Sequence, residues 1–217
     1  AWEGSLAAHP TSVQDVIDTI PDATVRRAAG DAFVMYTDRP VPLYLEAGLD
    51  LGAFRSLTEA WRGLGPDDRQ SVRPLLELEA DIHNLLLVLR ARVNFDLDRS
   101  TVVRLAVGAG ERRSAAHWVA AAAEGATPRE ILARAPAHLQ RALLDAPAEL
   151  GDIERALWRV FYRTANHVYY HSRLTVGCPY AFAAVKRMEL ANLITIVEAV
   201  RYGLPVEDTL GRLLRPS

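Results

Sequence analysis

The sequence predicts an all-α protein built from two similar helical lobes. Three observations carry this reading. Apolar residues recur at spacings of three and four along nearly the whole chain, and alternating strand-like runs are scarce. Glycine and proline punctuate that periodicity, as helix ends require. The second half also repeats a pattern of the first.

The elements follow in order. Thr11 and Gln14 read as a capping box before Val16 and Ile17. A helix is expected from about Ala23 to Met35, broken by Thr37-Asp38-Arg39-Pro40-Val41-Pro42, where two prolines remove donors and fix φ. A third helix lies within Tyr44 to Arg62 and ends at Gly63 and Gly65. Gly65-Pro66-Asp67 opens the most apolar helix of the first half, through Leu75, Leu78, Ile82, Leu85 and Leu89. Asp98 begins a short helix through Val102, Val103 and Leu105, and Gly108 to Gly110 breaks the chain. Trp118 sits on an alanine-rich helix that ends near Gly125. Thr127-Pro128-Arg129-Glu130 is a strong start signal, with an N-cap threonine, proline at the first position and glutamate at N3. Long helices are expected from about Glu149 to Ser172 and from about Pro179 to Gly203, then a short one from Val206 to Leu214.

The repeat is read from matching elements. Asp81 corresponds to Glu189, Asn84 to Asn192 and Leu85 to Leu193, each separated by 192 − 84 = 108 positions. Ala91 and Ala199, and Thr101 and Thr209, keep that spacing. Upstream, Asp50, Phe54 and Arg55 match Glu154, Trp158 and Arg159 at 158 − 54 = 104, which fits a small insertion near Thr175 to Pro179. Lobes are therefore expected over residues 1–107 and 108–217.

Composition narrows the function. With 50% hydrophobic and 24% charged residues in 217, the chain can bury one sizeable core or two small ones. The net charge is −2 and no basic run stands out, which argues against a nucleic-acid partner. Cys178 is the only cysteine, so no intrachain disulfide can form. No apolar stretch reaches the ~18 residues of a membrane span. The chain opens Ala1-Trp2-Glu3 without methionine, as expected of a piece cut from a longer protein.

Four residues are the site candidates: Asp81, Asn84, Glu189 and Asn192. An acidic residue three positions before an asparagine shares its helical face. The asparagine can donate and accept at once and so tie a neighbouring backbone to its own helix. The carboxylate can pair with an arginine or cap another helix. Bracing is the first reading of these residues, and contact with a partner is the second.

Other candidates carry less. His167 and His171 share a face, but no further ligands stand near them in sequence, so no metal is expected. Glu79 and His83 are four apart, not at the three-residue spacing of di-iron bundles. Cys178 precedes Pro179 in a loop without an evident base, and is read as a structural thiol. Val107-Gly108-Ala109-Gly110 lacks a Walker lysine, so no nucleotide or other cofactor is expected. Trp2, Trp61, Trp118 and Trp158 fit core packing.

The acidic-x-x-Asn-Leu helix followed by a Gly-Leu-Pro opening carries a family resemblance. Lys186 to Glu198 with Gly203-Leu204-Pro205-Val206-Glu207-Asp208 resembles the C-terminal signature of the C-type subunit of the V/A-type ATPases, the family that includes the eukaryotic d-type subunit. Glu79 to Arg92 resembles its internal counterpart, and Thr127 to Leu132 the linking helix of the last lobe. The resemblance covers the chain from about Tyr44 onward. It implies a funnel of helical lobes seated on the membrane rotor ring that accepts the tip of the central shaft. It implies transmission of torque without catalytic residues, on the cytoplasmic side of the membrane. Its partners would be the central-shaft subunits and the rotor ring. The family has three lobes and two are found in this chain, the second resembling the family's last lobe and the first open to reading as its middle one; either the first lobe has been removed or its traces lie in the divergent first ~40 residues. Arg26-Arg27, Arg90 with Arg92 and Arg112-Arg113 are then either solvated helix faces or the lining of a cavity for an acidic shaft tip. The alternative function is a helical-repeat scaffold for an unrelated protein partner. A helical enzyme would need clustered acid-base groups or ligands, which the sequence does not offer.

Overall fold

The computed structural model of the chain describes residues 11–108, 116–125, 127–143, 149–172 and 174–214. These form eleven α-helices and one π-helical turn, and no strand occurs among the described residues. The protein is all-α. In chain order the helices are α1 (Val13–Asp18), α2 (Ala23–Asp38), α3 (Leu43–Arg62) and α4 (Pro66–Leu89). The π-turn (Arg90–Asn94), α5 (Arg99–Leu105), α6 (Ala116–Ala122), α7 (Pro128–Ala133) and α8 (Ala137–Ala142) follow. The chain continues with α9 (Leu150–His171), α10 (Gly177–Tyr202) and α11 (Val206–Arg212).

Two local expectations are corrected. The capping box of α1 lies one residue later: Ser12 is the N-cap and Asp15 reciprocates, in place of Thr11 and Gln14. The Asp15 carboxylate accepts from the Thr11 and Ser12 amides at 2.9 Å, and a charge there also suits the helix dipole. Helix α10 begins at Gly177, so Cys178 and Pro179 occupy its first turn rather than a loop. Proline is tolerated there because first-turn amides have no intrahelical partner. Gly203, in the left-handed region at φ 64°, ends the same helix.

Helices α2 and α3 form a close hairpin of small residues. Ala28, Ala29 and Ala32 are its buried residues on α2. A Cβ at Gly52 would stand 2.6 Å from the Val25 Cα, and one at Gly48 2.2 Å from the Ala32 Cβ. Only glycine allows that approach.

Helix α4 is the centre of the core. Leu75, Ile82, Leu85, Val88 and Leu89 are fully enclosed. They cluster with Val119 of α6, Ile131 of α7, Leu139 of α8, Leu157 and Phe161 of α9, and Ala181 and Met188 of α10. One hydrophobic core thus runs across both halves of the chain. Phe54, Trp61, Val72 and Leu76 make a smaller cluster between α3 and α4.

Helices α4 and α10 lie side by side, parallel and level. The Val176 amide donates to Asp68 Oδ1 at 2.8 Å, and further along Arg187 pairs with Glu79. Both contacts join positions one repeat apart, 176 − 68 = 108 and 187 − 79 = 108.

Candidate functional site

The two asparagines make the same contact in each half. Asn84 Nδ2 donates to the Val107 carbonyl at 2.8 Å, and the Val107 amide donates back to Asn84 Oδ1 at 2.8 Å. Asn192 Nδ2 donates to the Leu214 carbonyl at 2.7 Å, and the Leu214 amide returns a bond to Oδ1 at 2.7 Å. Val107 and Leu214 each follow a short helix, α5 and α11, whose C-cap residues are extended. An amide side chain presents a donor and an acceptor in one plane, as a peptide does. It therefore satisfies an extended residue that has no strand partner. The result is a clamp that holds each short helix against its long one.

The clamps differ in burial. Asn84 is fully enclosed, while Asn192 is only partly buried. The acidic partners differ more. Asp81 is 2% exposed, and its Oδ2 lies 3.2 Å from His138 Nε2 on α8. Glu189 accepts from Lys186 Nζ at 2.7 Å on its own helix, and that bond raises the lysine pKa. The structure thus brings Asp81 into the joint between halves, keeps the Asn84 clamp within the first half, and leaves Glu189 at the surface.

A second brace crosses from α4 to α10. Glu79, 5% exposed, pairs with Arg187 and accepts from the Tyr180 hydroxyl at 3.4 Å. Burial, then the adjacent Glu79 carboxylate, pushes the Tyr180 hydroxyl above the ordinary tyrosine range. Arg187 also lies over the Phe161 ring.

A concavity of about 360 Å³ lies between α3, α4 and α9. Its floor includes Leu43, Ala47, Leu87 and Trp158, and its rim carries Glu46, Asp50, Glu154, His83 and Arg90. His83 is held edge-on between Phe54 and Trp158, at 5.1 and 5.5 Å, and lies 3.1 Å from Asp50. Arg90 bonds Glu154 at 3.1 Å and Glu46 at 3.3 Å. Three carboxylates face one guanidinium, so the rim is acidic. Of the arginines weighed as cavity lining, Arg90 does line this concavity, but held between Glu46 and Glu154. Arg92 turns to the Leu97 carbonyl at 2.7 Å, and Arg26 to that of Ile20 at 2.7 Å. Arg112 and Arg113 lie outside the described residues.

Sequence reasoning missed the acidic rim and His138. Asp50 and Glu154 were visible as matched repeat positions, but nothing placed them around a common cavity. His167 and His171 stack at 4.1 Å, and His171 Nδ1 contacts the His167 carbonyl at 2.7 Å. No group of metal-ligating side chains occurs among the described residues.

These features define an all-α protein in which buried carboxylates tie the first half of the chain to the second. The chain matches the family described as the ATP synthase (C/AC39) subunit over residues 5–212, and it belongs to that family of V/A-type ATPase subunits. The match reaches well upstream of Tyr44, where the recognisable motifs begin. No curated protein and no solved structure matches the chain significantly. No helix among the described residues is long and apolar enough to cross a membrane.

Proposed function

We propose that the chain is the central-stalk coupling component of a V/A-type rotary ATPase, joining the central shaft to the membrane rotor ring for proton or sodium transport. It is non-catalytic and acts peripherally on the cytoplasmic side, through two lobes over residues 1–107 and 108–217. The observation that carries this reading is the family match across residues 5–212. The internal bracing supports it. A torque-bearing protein must resist separation of its lobes, and Glu79–Arg187, Asp81–His138 and Asp68–Val176 all tie the first half to the second. The acidic concavity suits a basic segment of a partner better than an acidic tip.

Co-purification tests the reading. The full chain is mixed with purified central-shaft subunits and rotor ring from the same source, with an unrelated coiled coil as control. Selective capture of shaft or ring, weakening as salt rises, is expected. Failure to capture either one overturns the assignment and leaves a helical scaffold for another protein.

A further inference from the structure

The concavity between α3, α4 and α9 already holds a guanidinium of its own. Arg90 Nη1 donates to Glu46 Oε2 at 3.3 Å, and Nη2 donates to both oxygens of Glu154 at 3.2 and 3.1 Å. The two carboxylates come from different halves of the chain, and they stand at a spacing that one planar, forked cation spans. Arg90 reaches them from the first residue of the π-turn, a rare geometry that recurs at functional sites. The hold is an open one. Arg90 is 33% exposed, Glu154 34% and Glu46 60%, so a second cation can compete for the same oxygens. Asp50 adds a third carboxylate to the rim, 44% exposed and in contact with His83. Beneath the rim the lining is apolar: Leu43, Ala47 and Leu87 are buried, and Trp158 flanks them. An acidic rim over an apolar floor suits a side chain with a long apolar stem and a cationic head. A guanidinium suits it better than an ammonium, because its fork matches carboxylates and its plane packs on aromatic rings.

We propose that this concavity is the docking point for an arginine of a partner protein, whose guanidinium displaces Arg90 from Glu154. Charge complementarity names the occupant. Three carboxylates face one guanidinium, a formal charge of −2 with His83 counted as neutral. An anionic or wholly apolar segment would leave those charges uncompensated. Arg90 is then an internal stand-in. It keeps the rim paired while the concavity is empty and yields Glu154 to the incoming side chain. The exchange is easy because one guanidinium replaces another on the same oxygens. The proposal rests on the coupling role only in placing the partner within the rotary complex; the chemistry of the concavity belongs to the chain alone.

The test titrates the full chain with blocked tripeptides at millimolar concentration: Ala-Arg-Ala, its lysine analogue, and its citrulline analogue, which keeps the shape of arginine without the charge. The Trp158 indole N–H is followed by NMR, with Trp158→Phe to assign its signal. A saturable shift is expected with the arginine peptide, a weaker response with lysine, and none with citrulline. Glu154→Gln should weaken binding roughly fivefold and Arg90→Gln should tighten it roughly fivefold, the scale of a partly exposed ion pair. Arg62→Gln removes an equal charge 16 residues along α3 from Glu46. At about 24 Å and about 0.15 M salt it should change affinity less than about twofold, because that distance is screened. Asp50→Asn, which removes no contact of Arg90, should weaken binding as well and serves in place of Glu154→Gln if that variant does not fold. Absence of a saturable shift in both the wild type and Arg90→Gln overturns the proposal. So does citrulline binding as tightly as arginine, or Arg90→Gln tightening binding no more than Arg62→Gln. No other subunit is present, so this result stands apart from capture by shaft or ring.

Discussion

Replacing Asn84 by alanine tests the clamp most sharply, because Asn192 provides an internal control. The change removes both bonds to Val107, at 2.8 Å each. Val107 is only 3% exposed, so its amide and carbonyl are left dry and unpartnered. A stranded buried polar group costs about 1–3 kcal/mol, so two should cost roughly 3 kcal/mol together after partial relaxation. Asn192→Ala removes equivalent bonds from the partly buried Leu214, where water can replace them. Its cost should be about 1 kcal/mol, near the net value of a hydrogen bond. Urea unfolding of both variants and the wild type measures the difference, with the slope of the transition unchanged. For a chain of this length the Asn84 variant should also melt roughly 6–12 °C lower. Equal losses in the two variants, or a loss below ~0.5 kcal/mol at Asn84, would refute the reasoning that burial sets the strength of the clamp.

Three further outcomes follow. Arg187→Ala should destabilise by about 3 kcal/mol and Glu79→Gln by only about 1, because the first strands a buried carboxylate and the second leaves a half-exposed guanidinium in water; thermal unfolding of the pair gives the order. Gly52→Ala should destabilise by at least about 2 kcal/mol by forcing α2 off α3. Gly30→Ala, with nothing within 4 Å, should stabilise by about 0.5–1 kcal/mol; denaturant midpoints should move in opposite directions. Asp98 caps α5, and its carboxyl is held well below the usual range by the Ser100 and Thr101 hydroxyls and then the Thr101 amide. A depressed folded pKa stabilises above the unfolded value and loses that contribution as pH falls. Asp98→Ala should thus cost about 1 kcal/mol at pH 7, and progressively less as pH falls below about 4. Unfolding free energies across pH 2–7 measure that slope.

Much of this fold is written locally. Pro40 and Pro42 separate α2 from α3, Thr127 and Pro128 start α7, and Gly203 ends α10, because caps and breakers act through the backbone of their own residues. The asparagines could be found because each sits in a repeated pattern, and an amide on an apolar helix has few ways to be satisfied. Their partners could not. Val107 and Leu214 lie 23 and 22 residues downstream, and nothing local marks them. The unequal fates of Asp81 and Glu189 depend on α8 lying over the first, while among the described residues the second meets only Lys186 of its own helix. Sequence matching treats the two as equivalent, and only packing separates them.

The central claim is that this protein couples shaft rotation to ion movement. The direct measurement is ion uptake into vesicles carrying the rotary complex from the same source, assembled with and without the full chain, alongside ATP hydrolysis. The account predicts hydrolysis without ion uptake when the chain is absent, and uptake restored when it is added back. Full ion uptake in its absence would contradict the account.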